Sequence, residues 1–151
     1  MKISKARRTA ALRIRNQRAA DTRRLYSFEV ARLRDPSLNK LRRIDALRAF
    51  AESVWLSEKP RNCSRMPQIV AGKGFYQSGR YLSYCEGRWR IVLARHERNR
   101  LVLLHELVHS LGYGTHGVRF RRRYLSILKR FGGRMSAETR NALEVSLKSL
   151  R

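Results

Sequence analysis

Between Asn99 and Gly112 the chain reads NRLVLLHELVHSLG, an apolar run that carries two histidines and a glutamate. The run reads as a helix, with Asn99 suited to cap its start and Gly112 to end it. Two imidazoles and a carboxylate in such a helix would be costly to bury without partners, whereas a metal ion would satisfy them together. This one segment therefore restricts the chain to folds that bury a helix and bring further ligands to it.

His105 and His109 are four residues apart, so their rings leave one face of the helix about one turn from each other. Glu106 stands beside them, giving the pattern HExxH, in which the two histidines hold zinc and the glutamate takes a proton from the attacking water. A catalytic zinc generally needs three protein ligands and one open position, so a third ligand is expected close in space. His116 is the natural candidate, seven residues after His109, with glycines at 112, 114 and 117 that would let the chain turn back. Glu138 and Glu144 are acidic alternatives on the last predicted helix. One Zn²⁺ per chain is the expected cofactor, and Tyr113 is a candidate stabiliser of the developing oxyanion.

A chain of 151 residues with 42% hydrophobic residues suits one modest core. Apolar spacing strengthens only from Leu25, through Tyr26, Val30 and Leu33, so residues 1–24 are expected to be a basic N-terminal arm and 25–151 a single domain. Asp35-Pro36 should start a helix carrying Leu38, Leu41, Ile44, Leu47, Phe50 and Val54 on one face. Residues 57–67 read as a loop. The β-branched and aromatic residues from Ile69 to Ala94, interleaved with glycines, predict a small antiparallel meander whose last strand holds Ile91 to Ala94. After the histidine-bearing helix, Phe120, Tyr124, Ile127 and Phe131 predict another. Ser136 should cap a last one with Leu143, Leu147 and Leu150 inward. The fold class is thus α+β, with N-terminal helices, the meander, the HExxH helix and two C-terminal helices.

The chain has 35 Lys+Arg against 11 Asp+Glu, a net charge of +24, and 28 of the 35 are Arg. The planar guanidinium fork matches phosphate oxygens, so nucleic acid is the first expected partner, with Arg119, Arg121, Arg122 and Arg123 of RFRRRY as candidate contacts. Trp55, Trp89 and the tyrosines of FYQSGRYLSY are expected mainly in the core. Cys63 and Cys85 have no CxxC spacing and read as free thiols. No apolar stretch is long enough to cross a bilayer, and no secretory h-region follows Met1. The expected location is therefore intracellular, cytoplasmic or with nucleic acid. Residues 2–20, basic and without an acid, also suit a mitochondrial transit segment, and a virion-associated protein fits the charge too.

HELVH, then THG, then HGVRF opening a helix, all after the strand IVLA, resembles the SprT-like zinc metallopeptidases and related small metallopeptidases with HExxH followed by HGxxF. The similarity spans about residues 88–131. It implies that His105, His109 and His116 hold zinc, that Glu106 is the catalytic base, and that Phe120 packs the helix after the third ligand. It also implies a zincin-like fold, with an extended peptide substrate along the edge strand, here the one containing Ile91 to Ala94. SprT-like proteins include DNA-associated proteases, which would give the +24 charge a purpose. The chain departs from them in having no C-terminal Cys-rich zinc ribbon. HELVHSLG also matches the opening of the metzincin motif, but the third histidine arrives one residue late for it. The functional expectation is a zinc metallopeptidase localised by its Arg-rich surface. The alternative is a basic structural protein of a virion or ribonucleoprotein particle that keeps a metallopeptidase-derived fold.

Overall fold

Asp35 organises the first half of the chain. Its carboxylate accepts from Ser37 N at 3.0 Å, capping a helix that opens on Pro36, and from Ser136 N at 2.9 Å, a hundred residues away. In the computed structural model, residues 5–32, 34–58 and 65–150 are described, with side chains from residue 12 onward. The helices are α1 (Lys5–Arg32), α2 (Pro36–Asn39), α3 (Ile44–Glu58), α4 (Arg100–Ser110), α5 (Val118–Phe131) and α6 (Ala137–Lys148). The strands are β1 (Gln68–Gly72), β2 (Phe75–Gln77), β3 (Arg80–Leu82), β4 (Tyr84–Glu86) and β5 (Arg90–Ala94). The class is α+β.

The helix predicted from Asp35 through Val54 is two helices. Lys40 turns out of helical geometry at φ −56°, ψ 122°, and Arg42 N donates to Arg98 O at 2.8 Å instead of to its own helix. Leu38 and Leu47 are fully buried on either side of the break, while Leu41 is exposed. The apolar spacing that looked continuous serves two helices docked separately, with a tertiary hydrogen bond replacing the helical ones.

The strands also differ from a simple antiparallel meander. β5 lies in the centre of a three-stranded sheet, parallel to β1 with Ile69 beside Ile91, and antiparallel to β4 with Cys85 beside Ile91. Ile91 to Ala94 are all buried, and a strand covered on both faces reads as a continuous apolar run rather than an alternating one. β2 and β3 form a separate hairpin through Ser78 and Gly79, both at positive φ, the mirror-image geometry a two-residue hairpin prefers. The strand with a free edge beside α4 is therefore β4, not β5.

α4 is buried almost all round: Leu101, Leu103, Leu104, Leu107 and Val108 touch core on every side. α5 contributes Phe120, Tyr124, Leu125, Ile127 and Leu128, and α6 adds Leu143. Asn99 caps α4 by accepting from Val102 N at 2.9 Å, and Ser136 caps α6 by accepting from Thr139 N at 3.1 Å, both as the sequence suggests. Trp55 is buried, but Trp89 and Tyr76 are exposed, against the expectation that these aromatics fill the core.

α1 is continuous through residue 24. Leu12 to Ala19 are exposed, and burial begins at Asp21 and Leu25. Tyr26 and Val30 remain exposed, while Leu33 and Cys63 lie outside the described residues. Among the described residues no helix is long and apolar enough to cross a membrane.

Candidate metal centre

The buried helix α4 fixes His105 and His109 one turn apart. Leu111 ends the helix, and Gly112 follows at φ +102°, a conformation that side-chain-bearing residues avoid. A Cβ at Gly112 would also meet the Arg88 guanidinium at 3.1 Å. Of the three glycines in this loop, only Gly112 has a positive φ. The returning loop carries His116 back over the helix.

The three Nε2 atoms converge: His105 to His116 is 3.0 Å, His109 to His116 is 3.1 Å, and His105 to His109 is 3.2 Å. A tetrahedral zinc with bonds of about 2.0–2.1 Å sets its ligand nitrogens about 3.3 Å apart, so the triangle fits such an ion. The opposite ring atoms set the tautomer of two of these rings when they are neutral. His105 Nδ1 is 2.7 Å from Glu29 Oε1, and His109 Nδ1 is 2.7 Å from the Tyr113 carbonyl oxygen. A carbonyl or an ionised carboxylate can only accept, so each Nδ1 carries the proton and each Nε2 of the pair presents a lone pair to the centre. Lone pairs gathered at 3 Å repel unless a shared proton or a metal cation lies among them. The donor set is therefore suited to a divalent metal that takes neutral imidazoles.

Phe120 supports the cluster, with its ring centroid 5.1, 4.6 and 4.9 Å from those of His105, His109 and His116. The expectation that it packs the helix after the third ligand is too narrow, because it packs all three rings.

Burial lowers the affinity of His105 for a proton, but the Glu29 carboxylate beside it, with Glu106 and Glu97, more than offsets this and raises its pKa. His109 is pulled down to about 4 and His116 to about 3, by burial first and then by neighbouring imidazole charge. Both are neutral, and competent as ligands, at ordinary pH. Glu106 lies almost fully buried, and burial lifts its carboxyl to about 7, with Glu29 and Glu97 adding to the rise while His105 and the Cys85 backbone N–H oppose it. A carboxylate near neutrality can both accept and release a proton.

A cavity of about 920 Å³ opens beside the histidines, lined among others by Glu106, Tyr26, Tyr84, Phe75 and Arg88. Tyr26 stacks on His105 at 6.2 Å and meets His116 edge-on at 5.5 Å. Tyr113 is not among the lining residues; its side chain packs against the core, and its carbonyl orients His109. Glu138 and Glu144 are far from serving as ligands, being paired at the surface with Arg32 and Lys129. Three residues around the site escaped sequence reasoning: Tyr26 and Glu29 from α1, and Glu97, which accepts from Ser83 N at 2.5 Å. One signal was present in the sequence, because Asp21 and Glu29 are the only acids in the first 34 residues and share a helical face with Leu25.

The RFRRRY arginines are largely committed within the protein. Arg121 pairs with Asp21 at 2.8 Å, Arg123 with Glu58 at 2.5 Å, and Arg122 donates to the Leu150 carbonyl oxygen. Arg119 is exposed, as are Arg13, Arg15, Arg18, Arg23 and Arg24 on α1.

Neither a family model, nor a curated protein, nor a solved structure matches this chain.

Proposed function

We propose that this chain is a zinc-dependent peptidase of the HExxH type. The observation that carries the proposal is the convergence of three Nε2 atoms within 3.2 Å, two of them on rings whose Nδ1 is bound to an acceptor. When bound, zinc supplies Lewis acidity that polarises a carbonyl and acidifies water. His105, His109 and His116 hold it. Glu106, on the same helix and lining the same cavity, accepts the proton of the attacking water and passes it to the amine nitrogen as the peptide bond breaks. The free edge of β4 offers backbone groups to an extended peptide, and this replaces β5 as the strand a substrate would follow. A zincin-like fold and kinship with SprT-like enzymes remain part of this proposal, supported by the motif and by α4 and β4 lying side by side.

The exposed arginines of α1, with Arg119, support attachment to nucleic acid as the means of localisation. They equally favour the second reading, a basic nucleic-acid-associated structural protein in which the metal centre has no turnover. Zinc content separates neither reading from the other, but hydrolysis does. The zinc-loaded chain, incubated with unfolded protein substrates, should cleave them, and Glu106→Gln should not. Equal absence of cleavage by both, across folded, unfolded and nucleic-acid-bound substrates, would leave the structural reading.

A further inference from the structure

The ligand His105 is held from outside its own helix. Glu29 Oε1 sits 2.7 Å from Nδ1 of His105, and the pair is shielded, with side chains 14% and 8% exposed. The wholly buried Tyr124 on α5 stands against the same imidazole, its ring edge-on to His105 at 5.6 Å, so the pair lies in a closely packed setting. Two helical turns earlier on α1, Asp21 pairs with Arg121 of α5 at 2.8 Å, again with both side chains buried. The only two acids of the first 34 residues thus both face inward, in a segment otherwise dominated by exposed arginine. A surface helix needs neither contact to stay soluble, and burying two carboxylates costs free energy that specific partners must offset.

We infer that Glu29 is a positioning residue of the metal centre, through which zinc affinity depends on the docking of α1. This rests on the proposed zinc site. A carboxylate on the far nitrogen of a ligating imidazole fixes the tautomer, orients the ring and strengthens it as a donor. Here that carboxylate comes from the N-terminal helix, so α1 is part of the metal centre and not only a carrier of charge.

The test is the zinc affinity of the full chain, measured by competition with a chromophoric chelator, with Co²⁺ substitution to read coordination geometry. Glu29→Ala should weaken zinc about 10- to 100-fold and change the Co²⁺ visible spectrum, and Glu29→Gln should recover part of the loss because its amide oxygen can still accept from Nδ1. Circular dichroism of the metal-free proteins establishes that each variant is folded. Folded Glu29→Ala that binds zinc within twofold of the native chain, with an unchanged Co²⁺ spectrum, would overturn the inference. Should Glu29→Ala not fold, Glu29→Asp decides, since it keeps the charge but draws the carboxylate back from His105 Nδ1 by one methylene: a severalfold loss supports the role and unchanged affinity overturns it. A native chain that takes up no zinc overturns the metal site itself, an outcome seen before any variant is made.

Discussion

Asp21 and Arg121 stand a hundred positions apart in the chain and form a buried ion pair, Oδ1 to Nη2, of 2.8 Å. With charges this well shielded, removing one partner strands the other in a poorly solvated place. Asp21→Ala should therefore destabilise the protein by about 3–5 kcal/mol in chemical denaturation, whereas Arg119→Ala, two residues from Arg121 but on open surface, should change stability by less than about 0.5 kcal/mol. Equal effects would mean that the ion pair does not fasten α1 to α5.

What the sequence revealed and what it hid follow from the range of the interactions. The cap at Asn99, the helix stop near Gly112 and the convergence of His105, His109 and His116 rest on local geometry and could be read from spacing. The break at Lys40 could not, because it depends on the Arg98 carbonyl, and neither could the parallel partner of β5, which arrives from more than twenty residues upstream. RFRRRY shows the same limit from the other side. Its charges looked free because their partners, Asp21 and Glu58, lie far away in sequence. Glu29 was hidden for the same reason, although its rarity as an acid in a basic segment marked it.

Asp35 gives a stability change with pH. Burial pushes its carboxyl up, but hydrogen bonds from Ser136 N, the Ser37 hydroxyl, Thr139 and Ser37 N outweigh this and hold it at about 2, below the ordinary 3.8. A depressed carboxylate contributes stability that is complete above its unfolded value and is lost as pH falls from about 4 toward 2. Asp35→Ala should cost about 1–2 kcal/mol near neutrality by removing two helix-start hydrogen bonds. The gap between variant and native protein in thermal melts should narrow steadily below pH 4. A gap independent of pH would show that the cost comes from packing and not from the charge.

The cavity is walled by Tyr26, while Tyr113 gives only its carbonyl to His109. Of the two tyrosines lining the cavity, Tyr26 meets His105 and His116 whereas Tyr84 packs on Phe75, so Tyr26 is the phenol placed to assist the proposed hydrolysis, and Tyr26→Phe should lower kcat at least tenfold, toward the range seen when an oxyanion donor is removed. Tyr113→Phe should stay within twofold. The reverse pattern would restore the role that the sequence suggested for Tyr113.

The proposed attachment to nucleic acid through α1 should be electrostatic and separable from chemistry. Binding measured by fluorescence anisotropy should fall steeply with salt, and replacing Arg13, Arg15 and Arg18 by Ala should reduce the slope of log K against log salt by up to about 0.9 for each phosphate that is no longer neutralised. Glu106→Gln should bind as the native chain does. Binding insensitive to salt would remove the electrostatic account of the +24 charge.

The proposed metal centre makes opposed predictions for neighbouring residues. His116 supplies one of three converging nitrogens from a loop, so His116→Ala should fold, since its ring is only partly buried, yet lose zinc or hold it far more weakly. Glu106 is not placed as a ligand, so Glu106→Gln should keep about one zinc per chain while losing hydrolysis by a factor on the order of 10²–10⁴, the usual contribution of a general base. Elemental analysis of both variants beside the native protein checks the first half, and peptide cleavage checks the second. Loss of zinc from Glu106→Gln, with retention by His116→Ala, would mean that the ligand set is wrong and that the glutamate, not the loop histidine, completes it.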